Sequence, residues 1–294
     1  MEILSSAFRD TIKQVVALSK ASTEVNEQHV YQTGQAETLP LIDQIIKDLL
    51  LPGSGINGIE HLFDLLDKAN AGKSCLLLLE HYSNLDLPVF SYLLRNAGTH
   101  EKAIADALVA IAGMKLNEAS PTVAAFTGAY TRIIIYPSRS LQGLDNNRAE
   151  IIRSTAINRA AMKTLLELKT QGKLILVFPS GTRYRPWDPS TKKGVREIDS
   201  YIKSFDYMSF VAINGELLHV RQGDMMDDYV SQDVVQFTAG PVLSCALFRD
   251  AARDRAEAAG IADKKQAAVD AIMEQLQIMH NQAEEARKLL LPPV

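Results

Sequence analysis

Cysteine is scarce in this chain. Cys75 and Cys245 are the only two in 294 residues, and they lie far apart. Neither a disulfide framework nor a Cys/His zinc site is expected from such a pair. Long hydrophobic stretches are missing too, since no apolar run approaches the ~20 residues that span a bilayer. The opening residues, MEILSSAFRD, acquire charge too early for a secretory signal. The expectation is a cytoplasmic protein, or one of a stroma-like soluble compartment, that meets membranes only peripherally. Charge of one sign is also lacking. The net charge of −4 gives no general case for a nucleic-acid partner. There is no internal repeat, no low-complexity tract and no Gly-x-Ser-x-Gly elbow of a serine hydrolase. No cofactor or metal motif is found.

What remains is an ordinary globular balance. Apolar residues make up 47% and charged residues 22%, enough to bury a real core. Leu4, Phe8, Ile12, Val15 and Val16 fall at helical spacing, as do Ile42, Ile45, Ile46 and Leu49. Thr38 is placed to cap the second helix, and Pro52-Gly53 to stop it. The polar stretch Ser22 to Glu37 is expected to hold a short helix. Residues 1–53 are therefore expected to form a small N-terminal helical domain.

From about residue 54 onward, helical patterns alternate with short apolar runs. Asn57 and Glu60 have the spacing of a capping box. The runs are Cys75–Leu79, Ile133–Tyr136, Leu174–Phe178, Phe210–Ile213 and Val234–Phe237. Their shortness and β-branched or aromatic content suit buried strands. A helical stretch covers about Arg148 to Thr170, and another the C-terminus. Strand, helix, strand repetition predicts an α/β fold for residues 54–294: a mixed, mostly parallel sheet covered by helices.

Three expected strand ends carry polar residues. Glu80-His81-Tyr82-Ser83-Asn84-Leu85-Asp86 follows the first run. His81 and Asp86 would not share a helical face, since five residues turn a helix by about 140°. They can meet if His81 lies in the loop and Asp86 starts the next helix. An imidazole so placed can take a proton from an alcohol near neutral pH, and the carboxylate fixes its tautomer. On spacing alone, a helix cap beside a loop histidine is the plainer explanation. Phe178-Pro179-Ser180-Gly181-Thr182-Arg183-Tyr184-Arg185-Pro186 follows a second run. A small-residue turn at Gly181 and Thr182 can aim backbone N–H groups at an anion, and the Arg183 and Arg185 guanidinium groups match phosphate oxygens bidentately. Arg139 stands just past a third run, whereas Arg132 at the front of that strand belongs to the opposite end of the sheet.

These blocks, in this order, resemble those of the glycerolipid acyltransferases. The His-x-x-x-x-Asp hallmark is matched by His81 and Asp86, and the Phe-Pro-Glu-Gly-Thr-Arg-like block by Phe178 to Arg183. Ser180 in place of Glu, and the extension Arg183-Tyr184-Arg185-Pro186, look most like the soluble chloroplast-type glycerol-3-phosphate acyltransferases. The resemblance implies that His81 deprotonates the sn-1 hydroxyl of glycerol 3-phosphate for attack on an acyl thioester of acyl carrier protein or coenzyme A. It implies that Asp86 orients His81, and that Arg183, Arg185 and Arg139 hold the acceptor phosphate. Two alternatives stand beside it. One is a 1-acylglycerol-3-phosphate acyltransferase making phosphatidic acid. The other is a non-catalytic lipid- or anion-binding protein on the same fold.

Overall fold

The computed structural model describes residues 1–21, 24–118, 120–137, 147–223 and 225–291. Its strands, in chain order, begin with β1 (Glu2–Ile3), β2 (Tyr31–Gln32), β3 (Gly55–Asn57), β4 (Cys75–Leu79), β5 (Leu108–Gly113) and β6 (Arg132–Ile135). They continue with β7 (Leu174–Val177), β8 (Tyr207–Asn214), β9 (Leu218–His219), β10 (Tyr229–Val230), β11 (Gln236–Ala239) and β12 (Leu243–Ser244). A nine-stranded sheet runs in the order β2-β6-β5-β7-β4-β8-β11-β3, with β12 paired to β8. The five central strands, from β6 to β8, are parallel to one another, and β2, β11 and β12 join antiparallel to their neighbours. This is the expected mixed, mostly parallel α/β sheet. β1, β10 and β9 form a separate small sheet.

The sheet is buried on both faces, which is why β4 reads Cys-Leu-Leu-Leu-Leu without polar alternation. Leu77 and Leu79 face a core built with Leu62 and Leu65 of the helix Ile59–Asn70 and Phe90 of the helix Asp86–Ala97. Ile12, Val15, Ile42, Ile45 and Ile46 pack into that same core, and β2 adds an edge strand to the main sheet. Leu76 and Leu78 face the other core, with Ile157 and Leu165 of the helix Arg148–Leu168 and Ile272 and Leu276 of the helix Lys264–Lys288. Among the described residues no helix is long and apolar enough to cross a membrane.

Local expectations fail where a tertiary partner competes. The described part of Ser22–Glu37 holds β2 and no helix, because Tyr31 and Gln32 pair with Ile133 and Arg132. The capping box at Asn57 does not form. Gly58, at φ +69°, precedes the helix instead, and the Asn57 amide donates to Gln236 Oε1 at 2.7 Å. Thr38 likewise donates to the carbonyl of Gln35 and makes no side-chain cap.

Candidate active site

β4 and β7 are parallel neighbours, with Leu78 opposite Val177. Their carboxyl ends therefore deliver His81 and the Phe178–Arg185 segment to one edge of the sheet, where ligands gather in open α/β folds. Two contacts lock the segments together. The His81 ring stacks on Phe178, with centroids 4.0 Å apart and planes 18° from parallel. The Tyr184 amide donates to the His81 carbonyl at 2.9 Å.

Asp86 opens the helix that follows and folds back on the loop. Its Oδ2 accepts from His81 Nδ1 at 2.9 Å, from the Tyr82 amide at 2.6 Å and from the Ser83 amide at 2.9 Å. Its Oδ1 accepts from the Ser83 hydroxyl at 2.9 Å. A carboxylate so engaged only accepts, so the ring proton of neutral His81 resides on Nδ1. Nε2 then keeps its lone pair, and among the described residues nothing bonds it. Both side chains are sheltered, at 16% and 6% exposure. The arrangement is that of a general base oriented by a buried acid.

His81 lines a small solvent-connected cleft, whose wall also includes Tyr82, Ser180, Tyr184, Lys192 and Met273. Burial, followed by the charge and hydrogen bond of Glu80, pushes the Tyr82 phenol far above its ordinary range. Tyr82 therefore stays a donor, and its hydroxyl bonds Glu80 Oε1 at 2.9 Å. Lys192 ends a short 3-10 turn, Pro189–Lys192. Its ammonium lies over the Tyr82 and Tyr184 rings, 5.8 and 5.7 Å from their centroids. Those contacts hold the cation without neutralising it, and among the described residues Lys192 makes no ion pair.

The turn after β7 forms around Gly181. Its φ is +64°, and an added Cβ would meet Val195 Cγ1 at 3.2 Å, so a side chain there is opposed by both backbone and packing. Ser180 is buried, and its hydroxyl donates to the Thr182 carbonyl at 2.7 Å. Arg185 is exposed and free of ion pairs among the described residues, with its amide anchored to Thr191 Oγ1 at 2.9 Å. Arg183 is engaged elsewhere. Its Nη1 donates to Oδ2 of Asp228 beside the small sheet, and the pair is 11% and 0% exposed. Asp228 also accepts from the Arg221 amide at 2.8 Å. Arg139 lies outside the described residues. Arg132 begins β6, at the end of that strand away from Ile135.

Residues 62–224 match the Acyltransferase family. The chain belongs to that family. The dyad and the turn after β7 both fall within the matched segment of this acyltransferase. Among solved structures, one that it resembles is the 1-acyl-sn-glycerophosphate (LPA) acyltransferase PlsC from Thermotoga maritima, at 12% identity and a TM-score of 0.42. That likeness covers 96% of this chain and 89% of the other. No curated protein matches the acyltransferase.

The sequence did not single out Lys192, Asp228 or His280. Lys192 sits in a polar turn well past the run Leu174–Phe178, and nothing in its neighbours distinguishes it from a solvated lysine. Asp228 and His280 reach the site only through the tertiary fold.

Proposed function

We propose that this acyltransferase moves a fatty acyl group from a thioester to a hydroxyl of 1-acylglycerol 3-phosphate. The observation that carries the chemistry is the His81–Asp86 bond, which leaves Nε2 without a hydrogen bond among the described residues in a histidine that lines the cleft. Nε2 takes the proton of the acceptor hydroxyl, and that oxygen attacks the thioester carbonyl. As the C–S bond breaks, the leaving thiolate takes a proton from the imidazolium, which returns His81 to its starting state.

The choice of acceptor turns on where affinity comes from. Glycerol 3-phosphate has few atoms, so nearly all of its binding must come from cations on its phosphate. Arg183 is held by Asp228; among the described residues, Arg185, Lys192 and Lys193 are cations near the turn that make no ion pair. A chain-bearing acceptor adds apolar contact, and the partly exposed Met273 side chain supplies it at the cleft wall. Such an acceptor resides in a bilayer. Ile151, Ile152, Met162 and Leu166 are exposed on the helix Arg148–Leu168 and fall within about 100° of one another at 3.6 residues per turn. With exposed Thr155 and Arg159 between them, they give the protein a mixed apolar and cationic face for peripheral contact with a membrane. Glycerol 3-phosphate is the second candidate, favoured by Ser180 and the Arg-Tyr-Arg-Pro extension.

An acceptor panel with one labelled acyl thioester decides between them. Rates are compared at equal acceptor concentration below KM. The 1-acyl acceptor should win by about tenfold or more, equivalent to ~1.4 kcal/mol of transition-state binding. A tenfold preference for glycerol 3-phosphate would reverse the choice.

A further inference from the structure

Glu80 precedes the base His81, yet its side chain points the other way. Neighbouring residues at the end of a strand project to opposite faces. His81 stacks on Phe178, which packs against one core, while Glu80 turns towards the helix Lys264–Lys288 of the other. There Glu80 is 5% exposed and fully engaged. Its Oε2 accepts from the Ile213 amide at 2.8 Å and lies 3.0 Å from His280 Nδ1. Its Oε1 accepts from the Tyr82 hydroxyl at 2.9 Å. The Tyr82 proton is committed to Glu80, so the proton between Glu80 and His280 is supplied by Nδ1, with the Tyr82 oxygen a longer second acceptor at 3.3 Å. The His280 backbone is fixed in turn, since its carbonyl accepts from Asn214 Nδ2 at 3.0 Å.

The network continues into the dyad. Tyr82 is held at its hydroxyl by Glu80, and its amide is one of the donors to Asp86 Oδ2, the oxygen that bonds His81. The residues on both sides of His81 are therefore tied to the C-terminal helix, 200 residues away in sequence. His280 lies outside the segment 62–224 that matches the family, so this brace is contributed by a part of the chain beyond the shared region.

We propose that His280 is a positioning residue for the dyad. Through Glu80 it fixes Tyr82, and through the Tyr82 amide it holds Asp86 and His81 at their working geometry. The proposal rests on His81 acting as the base in acyl transfer. Its consequence is a loss of turnover without a loss of substrate binding, because His280 is not among the residues that line the cleft.

The test compares His280→Leu with His280→Asn in the full chain. The Asn amide nitrogen sits close to where Nδ1 does and can donate to Glu80, whereas Leu cannot. Three quantities are read: thermal midpoint, kcat and KM for both substrates, and the downfield proton resonance of the His81 Nδ1–H bonded to Asp86. His280→Leu is expected to lower kcat about ten- to a hundredfold, to leave both KM values within about twofold and to weaken that resonance. His280→Asn is expected to restore kcat and resonance together. Should His280→Leu fail to fold, Glu80→Gln is measured in its place, with the same loss expected. A folded His280→Leu protein with normal kcat and an intact resonance overturns the proposal. So does His280→Asn that is as impaired as His280→Leu. If the wild-type protein transfers no acyl group to any acceptor, the acyl-transfer assignment fails by itself. The resonance of the variants then decides the positioning role.

Discussion

Arg183 donates from Nη1 to Oδ2 of Asp228, a carboxylate with no exposed surface. The bond ties the turn after β7 to the segment between β9 and β10. Asp228 further anchors the N-terminus, since its carbonyl accepts from the Leu4 amide at 3.0 Å. Removing the guanidinium would strand a buried charge. Arg183→Ala should therefore cost about 3–5 kcal/mol of stability, read as a lowered urea midpoint. Acceptor KM, measured well below the melting temperature, should change less. An unchanged midpoint with a tenfold rise in acceptor KM would return Arg183 to the phosphate clamp.

Lys192 should behave in the opposite way. Its ammonium is unpaired among the described residues and lines the cleft beside His81. Hydrogen bonds to charged groups contribute about 1.5–3 kcal/mol, so Lys192→Ala should raise acceptor KM by roughly ten- to a hundredfold, with the urea midpoint retained. Added salt should weaken acceptor binding in the wild type more than in the variant. If only the acyl-donor KM moves, Lys192 serves the other substrate.

His81→Ala should lower turnover by about 10²–10⁴-fold, the usual contribution of a positioned base, in a protein whose circular dichroism is unchanged. Asp86→Asn should also reduce kcat. It should lower the melting temperature as well, because the carboxylate accepts four hydrogen bonds in the loop and an amide nitrogen can accept none of them. Near-normal turnover in folded His81→Ala protein would refute the base assignment.

Strands β4 and β7 were legible because they are local, and the His81–Asp86 contact was foreseen as possible, although spacing alone favoured a helix cap beside a loop histidine. β4 and β7 are short, apolar and bounded by turns, and a five-residue spacing brings His81 to Asp86 within a single loop. The anion clamp was legible only in part. Composition placed Arg183 and Arg185 at one strand end but could not show that Arg183 meets Asp228, 45 residues on. β2 was hidden for a similar reason. Tyr31-Gln32 carries no alternation of its own and becomes a strand through β6. β5 was missed because Leu108–Gly113 includes alanine and glycine, which are depleted in strands, and continues a helix that ends at Ala107. Glu80 stood inside the quoted motif, yet its partner His280 is remote in sequence.

Cys75 and Cys245 are both fully buried. Burial pushes each thiol up to about 12. At pH 8 both are accordingly neutral thiols, and the thiolate that alkylating reagents require is scarce until the pH nears that value. Iodoacetamide at pH 8 should leave the native protein unmodified and add two groups after denaturation, as counted by intact mass. Rapid labelling of the native protein would show that one of the two helix–sheet layers opens.

The outer pairing of the main sheet sets an order of events during synthesis. β3, near residue 55, finds its neighbour only in β11, at Gln236–Ala239, and β4 needs β8. A ribosome must therefore produce β4 to β10 before β3 can pair with β11, and β5 to β7 before β4 can pair with β8. Ile42, Ile45 and Ile46, wholly buried in the finished fold, emerge long before much of their cover. Pairings of this range are slow to form and leave apolar surface open meanwhile. His280 follows every strand in the chain, so the dyad receives its brace only after the whole main sheet has been made.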